Sequence, residues 1–278
     1  MKQLFDDVTY KCSKLVTNCY STSFSLGTYF LGKEFRMPVY AIYGFVRFAD
    51  EIVDSFHDYN KQELLERFTK ETYTALDEKI SLNPILNCFQ HTINKYEVDR
   101  KLIDTFLKSM SMDLNKKDYT QEGYEEYILG SAEVVGLMCL KIFVRGDEKT
   151  YQALKHDAMK LGSAFQKINF LRDLKADYQL MGRTYFPGLE ISQFDENSKK
   201  KIEEDIQKDF DAGLRGLRQL SKDSRFGVYI AYTYYLSLFR KIKRTPASVI
   251  LNQRIRITDP YKYILFLWCL IKHKLNLI

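Results

Sequence analysis

The chain has 278 residues, 45% apolar and 28% charged, which is the composition of an ordinary globular protein able to bury a core. Its net charge of +6, with 42 basic and 36 acidic residues, suits an anionic substrate or a lipid surface and is too diffuse for a nucleic-acid partner. Five cysteines without a CxxC pair and four histidines without HxxxH spacing argue against a disulfide framework or a zinc site and fit a reducing cytoplasm.

The first twelve residues, MKQLFDDVTYKC, lack the apolar region of a signal peptide, so a cytoplasmic location is expected. Residues 5–19 carry apolar side chains at helical spacing, and STSFS at 21–25 interrupts them as a loop. Pro38 then opens a helix to about Asp54, and further helices are expected over 62–76, 84–96 and 101–113. Another covers 121–143, and a long one runs from about Asp147 to Asp177. Gly182, Pro187 and Gly188 mark the strongest break in the chain. Beyond it, residues 199–220 are charged and amphipathic, and Val228, Tyr232, Tyr235, Phe239 and Ile242 define a helix by spacing despite their β-favouring tyrosines. Pro246 opens a short helix toward Arg256, and Pro260 begins the last.

That last helix contains YILFLWCLI at 263–271, flanked by Lys262 and by Lys272, His273 and Lys274. Nine apolar residues fall well short of the roughly 20 that span a bilayer. A buried terminal helix is the expectation, with an interfacial anchor at the inner face of the membrane as the sharper alternative. No hairpin pattern, repeat or linker interrupts the helices, so the chain reads as a single all-α domain over 1–278, a helical bundle with a central apolar cavity.

Two stretches carry chemistry. At about 100° per residue, Gly162, Gln166, Asn169, Asp173 and Asp177 share an arc of roughly 80°, while Leu161, Phe165, Ile168 and Leu171 point elsewhere. In the partner stretch Tyr43, Arg47, Asp50 and Asp54 share about 60°, amid Val46, Ala49, Ile52 and Val53. Aspartates one turn apart in a poor solvent repel by roughly 3 kcal/mol at an effective dielectric of about 20, so a counter-charge is expected. Nearly all-oxygen donors suit a hard cation such as Mg²⁺, which takes one or two carboxylates plus water and substrate phosphates. Either DxxxD alone would read as a solvated helix face; two embedded in apolar residues do not.

These segments resemble the squalene and phytoene synthase family of head-to-head prenyl transferases, most closely its bacterial phytoene synthases. The resemblance runs through STSF at 21–24, YGFVRFADEIVD at 43–54, YILGSAEVVG at 127–136, LGSAFQKINFLRDLKAD at 161–177, GRTYFP at 182–187 and RIRI at 254–257. It implies an isoprenoid-synthase helical fold. It also implies Mg²⁺, with Mn²⁺ as a substitute, held by Asp50, Asp54, Asn169, Asp173 and Asp177. Ser21, Ser23, Arg47, Arg172, Arg183, Tyr185 and Arg254 would contact the substrate diphosphates, and Phe24, Tyr43, Tyr127, Gln166 and Tyr235 would belong to the same site, the last four near the reacting carbons. Where the family has two adjacent aspartates in its first motif, the second here is Glu51, which faces away from the Asp50/Asp54 arc. Ala176 stands where an acidic residue commonly precedes the last aspartate of the second motif.

The implied reaction joins two geranylgeranyl diphosphates through a cyclopropyl (prephytoene) diphosphate to phytoene, in carotenoid biosynthesis and without a nicotinamide. Squalene or dehydrosqualene synthesis from two farnesyl diphosphates is the near rival, and a non-catalytic prenyl-lipid-binding scaffold is the rival of a different class. Clustered carboxylates that cost folding energy without metal argue against the scaffold. Chain length is expected to be set near Gly130, Ser131, Val134 and Met138, one face of the helix that follows Tyr127. Prenyl diphosphates, and a membrane surface that receives the apolar product, are the expected partners.

Overall fold

The computed structural model describes residues 1–115, 119–181 and 185–278, apart from the side chains of residues 115, 176–181 and 192. The side chain of Asp177 and the whole of Arg183, both of the expected site, lie outside what is described. Among those described there is no strand, as the spacing predicted.

Helices α1 (Lys2–Tyr20) and α2 (Thr22–Tyr29) are separated by one residue. The loop expected at STSFS is therefore a correction. Ser21 is extended and caps α2, its hydroxyl accepting the Phe24 N–H at 3.1 Å, so Ser23, Phe24 and Ser25 are already helical. Helix α3 (Lys33–Asp54) starts five residues before Pro38. Gly32 ends the preceding turn with its N–H on the Asp223 carbonyl at 2.7 Å, and Pro38 sits within the helix, where only one ladder bond is forgone.

Helices α4 (Lys61–Glu78), α5 (Pro84–Tyr96) and α6 (Arg100–Asn115) follow as expected. Packed on α3 they form one core, in which Phe45 lies on Phe89 at 3.8 Å with Phe106 at 5.3 Å. Each such ring contributes about 1.5 to 3 kcal/mol by leaving water.

The expected helix over 121–143 is divided into α7 (Gln121–Ile128), a π-helical turn (Leu129–Glu133) and α8 (Val134–Phe143). Both neighbours hold the turn by close approach. A Cβ on Gly130 would meet the Ser109 side chain at 2.5 Å, and one on Gly162 would meet the Ala132 carbonyl at 2.6 Å. The extra residue of a π turn advances the phase of everything after it by about 100°.

The long helix α9 (Glu148–Met181) lies along α10 (Glu196–Gln219), keyed by the buried Lys167 ammonium against Asp205 at 2.5 Å and Asp209 at 2.7 Å. Helix α11 (Lys222–Lys243) completes a second core with Ile168, Leu171, Phe210 and Phe239. Helix α12 (Ala247–Ile250) is one turn, so the expected helix toward Arg256 stops early. Pro246 caps it, and residues 254–258 form no helix.

Helix α13 (Asp259–Lys274) begins one residue before Pro260. It buries only Cys269 fully, with Tyr263, Ile264, Leu267, Trp268 and Ile271 exposed. The buried terminal helix is thereby corrected. The apolar run is longer than the face that α11 covers, so half of it stays in solvent.

The interior of the bundle is not one core. Partly buried Phe24, Val46, Val135, Cys139 and Phe143 edge the α3 side, and Leu161, Phe165 and Tyr235 edge the α9–α11 side. Val228 touches both. The seam between these rims is the cavity described next.

Candidate active site

The seam holds an apolar cavity of about 280 Å³. Along α9 its wall includes Leu154, Ala158, Leu161, Gly162, Phe165 and Gln166, with Asp157 at one edge, and the twelve steps from 154 to 166 at 1.5 Å each give that wall a rise of about 18 Å. Opposite stand Tyr43 and Val46 of α3 and Ser131, Val135, Cys139 and Phe143 of the π turn and α8. Val134 and Met138, expected on this wall, are instead packed in the α3 core, and Gly130 faces α6. The π turn is the reason. It rotates α8 so that the stripe one residue later meets the cavity, and of the four expected floor residues only Ser131 lines it.

Next to the cavity lies a polar pocket of about 370 Å³, lined by Ser21, Ser23, Arg172, Arg254, Arg256 and Lys262 among others. Tyr235 lines both spaces and joins them. Its ring lies on Phe165 at 4.1 Å, and its hydroxyl donates to Asn169 Oδ1 at 3.4 Å. Asn169 Nδ2 in turn donates to Gln166 Oε1 at 3.4 Å. Across the mouth Phe24 lies on Tyr43 at 4.8 Å, and burial pushes the Tyr43 hydroxyl up to about 12. Both rings therefore present apolar faces to the mouth, and the Tyr43 hydroxyl keeps its proton.

The acidic positions differ in their surroundings. Asp50 is partly buried, and desolvation, reinforced by Asp54 and by Asp113 of α6, raises its carboxyl to about 8 despite Arg47. Asp113 went unread in the sequence. Its signal was a carboxylate on the face of Phe106 and Met110, the buried face of α6. It accepts the Tyr127 hydroxyl at 2.6 Å and the Tyr119 hydroxyl at 3.3 Å. Burial and that carboxylate drive Tyr127 well above an ordinary phenol. Tyr127 and Tyr185 stack with Phe170 in a cluster beside the site, outside the walls of both spaces.

Asp173 is clamped by two arginines. Arg172 reaches it at 3.0 and 2.5 Å and Arg254 at 2.6 and 3.2 Å. Arg47 is paired with Glu51 and lies over the Tyr20 ring at 4.3 Å, while its buried Nε has no hydrogen-bond partner. Glu51 is thus occupied by a guanidinium that itself belongs to the Asp50/Asp54 arc. Lys262 and Arg256 are cations that sequence reasoning missed; the first reaches Thr22 Oγ1 at 3.0 Å.

Among the described residues no three carboxylates, imidazoles or thiols are near enough to form a finished metal cage. The donor set nevertheless fits a hard divalent ion. Asp50, Asp54, Asn169 and Asp173 offer only oxygen or amide groups from two facing helices, and the protonation-prone Asp50 marks a place short of positive charge.

A closed helical bundle with acidic faces on two helices at the mouth of an apolar cavity defines the isoprenoid-synthase class of fold. Within it, residues 17–260 match the squalene/phytoene synthase family, and the chain belongs to that family. It is 28% identical over 262 residues to phytoene synthase 1 of Solanum lycopersicum, covering 86% of this chain and 62% of that one. To phytoene synthase of Arthrospira platensis it is 25% identical over 279 residues, covering 88% and 87%. A crystal structure of a dehydrosqualene synthase with ligand superposes with a TM-score of 0.82 at 22% identity, over 97% and 98% of the two chains. This chain thus spans under two thirds of the tomato relative's length.

Proposed function

We propose that the protein is a prenyltransferase that joins two geranylgeranyl diphosphates head to head to give phytoene. The observation that carries this reading is the meeting, at Tyr235, of a cationic pocket with a long apolar cavity. One accepts diphosphate, the other a prenyl chain. Asp50, Asp54, Asn169 and Asp173, with Asp177, would hold Mg²⁺, or Mn²⁺ in its place. The ion would supply Lewis-acid neutralisation of the departing diphosphate.

The chain's own residues do the rest. Arg172, Arg254, Arg256 and Lys262 line the pocket where the diphosphates would lie, with the Ser21 and Ser23 hydroxyls. Arg183 and Tyr185 belong to the same proposal by the family pattern. Arg47 has a donor to spare in its orphaned Nε. The Phe24, Tyr43, Phe165 and Tyr235 faces shelter an allylic cation without capturing it, and the apolar walls keep water from it. A nicotinamide has no part in this route.

Purified protein with Mg²⁺ and either geranylgeranyl or farnesyl diphosphate, the hydrocarbon identified by mass, tests the reading. Phytoene as the preferred product is expected. A preference for farnesyl diphosphate would move the assignment to dehydrosqualene synthesis, and no hydrocarbon from either would remove the enzyme.

A further inference from the structure

No helix among the described residues is long and apolar enough to cross a membrane. Helix α13 nonetheless carries an apolar face that none of the described residues covers. Ile264, Leu267, Trp268 and Ile271 are each more than half exposed, and Leu275 continues the row just past the helix at 63%. At about 100° per residue these five occupy an arc of roughly 100°, with Lys274 at one edge and Lys272 at the other. The opposite face, Leu265, Phe266, Cys269 and Leu270, holds α13 to the body of the protein. The helix is therefore fixed in place by one side while presenting the other.

Beside this row, between α11 and α13, runs a cleft of about 750 Å³. Its cations are Arg240, Lys241, Arg244 and Lys272, its aromatic walls include Tyr232 and Trp268, and among the described residues no carboxylate lines it. Among the described residues neither Arg240 nor Arg244 forms an ion pair. The Lys272 ammonium lies over the Trp268 ring at 5.2 Å, joining the charged cleft to the apolar row.

We propose that this face docks on a bilayer containing anionic phospholipid. The α13 row enters the headgroup and acyl boundary, and the cleft receives phosphate headgroups. Apolar side chains edged by lysines, with a tryptophan among them, are the composition of an interfacial helix. Charge selects this occupant over a second copy, because an isologous contact would set the four cations of this cleft against the same four. The geometry has a further consequence. Ile257 lines both this cleft and the diphosphate pocket, so docking would bring the pocket beside the membrane surface.

Trp268 is the sole tryptophan of the chain, so unmodified full-length protein carries its own reporter. With phosphatidylglycerol vesicles its emission should shift to shorter wavelength and the protein should sediment with them. Binding should fall at about 1 M salt, where screening reaches roughly 3 Å. The double variant Arg240→Gln/Arg244→Gln should bind about tenfold to thirtyfold more weakly. Ile264→Ser/Leu267→Ser should abolish the shift while its circular dichroism and melting curve stay those of the wild type, as befits exposed side chains. Neither pair touches the diphosphate pocket, so turnover of detergent-dispersed substrate should be unchanged in both. Absence of both shift and sedimentation with phosphatidylglycerol would overturn the proposal. So would equal binding to phosphatidylcholine vesicles, or a vesicle-free shift that grows with protein concentration as light scattering reports a doubled mass.

Discussion

Arg254 holds the carboxylate of Asp173 at 2.6 Å from a segment that forms no helix, and Arg172 holds it from the neighbouring position of α9. Asp173, an expected metal ligand, is thus neutralised from two sides, whereas Asp50 faces Asp54 and Asp113. The two variants should therefore part company. Both Asp50→Asn and Asp173→Asn should abolish turnover at saturating Mg²⁺. Without divalent ion Asp50→Asn should unfold at the same or a higher temperature. Asp173→Asn should lose about 1 to 2 kcal/mol, allowing for solvent around half-exposed Arg254. Near-wild-type activity in both would remove the site from this mouth.

The Asp50 shift also fixes the sign of a pH dependence. Its carboxyl is raised from the ordinary 3.8 to about 8 in the folded chain, so the folded state holds its proton more tightly than the unfolded state. The contribution to stability is complete below the unfolded value and is lost as pH rises toward the folded one, at up to about 1.4 kcal/mol per pH unit. Denaturant titrations of metal-free protein between those limits should show that decline, and Asp50→Asn should flatten it. A wild-type curve no steeper than the variant's would contradict the burial of this carboxylate.

Chain-length selection should follow the rotated face of α8. Val135→Phe fills the cavity and should shift preference from geranylgeranyl toward farnesyl diphosphate by about 1 to 3 kcal/mol. Val134→Phe, one residue away, enters a filled core and should cost about 1 to 3 kcal/mol of stability instead. Competition between the diphosphates, scored by product mass beside melting curves, separates the two. The reverse pattern would mean that α8 is not rotated as described.

Gly162 gives an independent check on the π turn. Its added Cβ would stand 2.6 Å from the Ala132 carbonyl, and backbone oxygen yields less readily than a side chain. Gly162→Ala should therefore lower stability by about 1 to 3 kcal/mol, read by chemical denaturation. A neutral substitution would show that α9 has room to move there.

Much of this was legible in periodicity. The faces carrying Asp50/Asp54 and Asn169/Asp173 follow from 3.6 residues per turn, and α5 needed only Pro84 and the apolar spacing. What escaped was set by contacts distant in sequence. Ser21 reads as loop until its hydroxyl is seen capping α2. The π turn has no local signature, because Gly130 and Gly162 create it jointly with α6 and α9 from opposite sides. Asp113 became part of the site only when α6 brought it toward Asp50, and α13 was misread because an apolar run does not say how much of it another helix will cover.

The seam between the two cores, bridged at Val228, makes the ligand a structural component. Its walls forgo the contacts that close packing would supply, and an apolar chain in it restores them at about 0.8 kcal/mol per buried methylene. Stabilisation should then grow with alkyl length even for molecules that carry no diphosphate and never react. Long-chain prenyl alcohols should raise the melting temperature more than short ones, with Mg²⁺ irrelevant to the trend. For a chain built this way, folding and substrate recognition draw on one interior surface, and selection on either constrains the other.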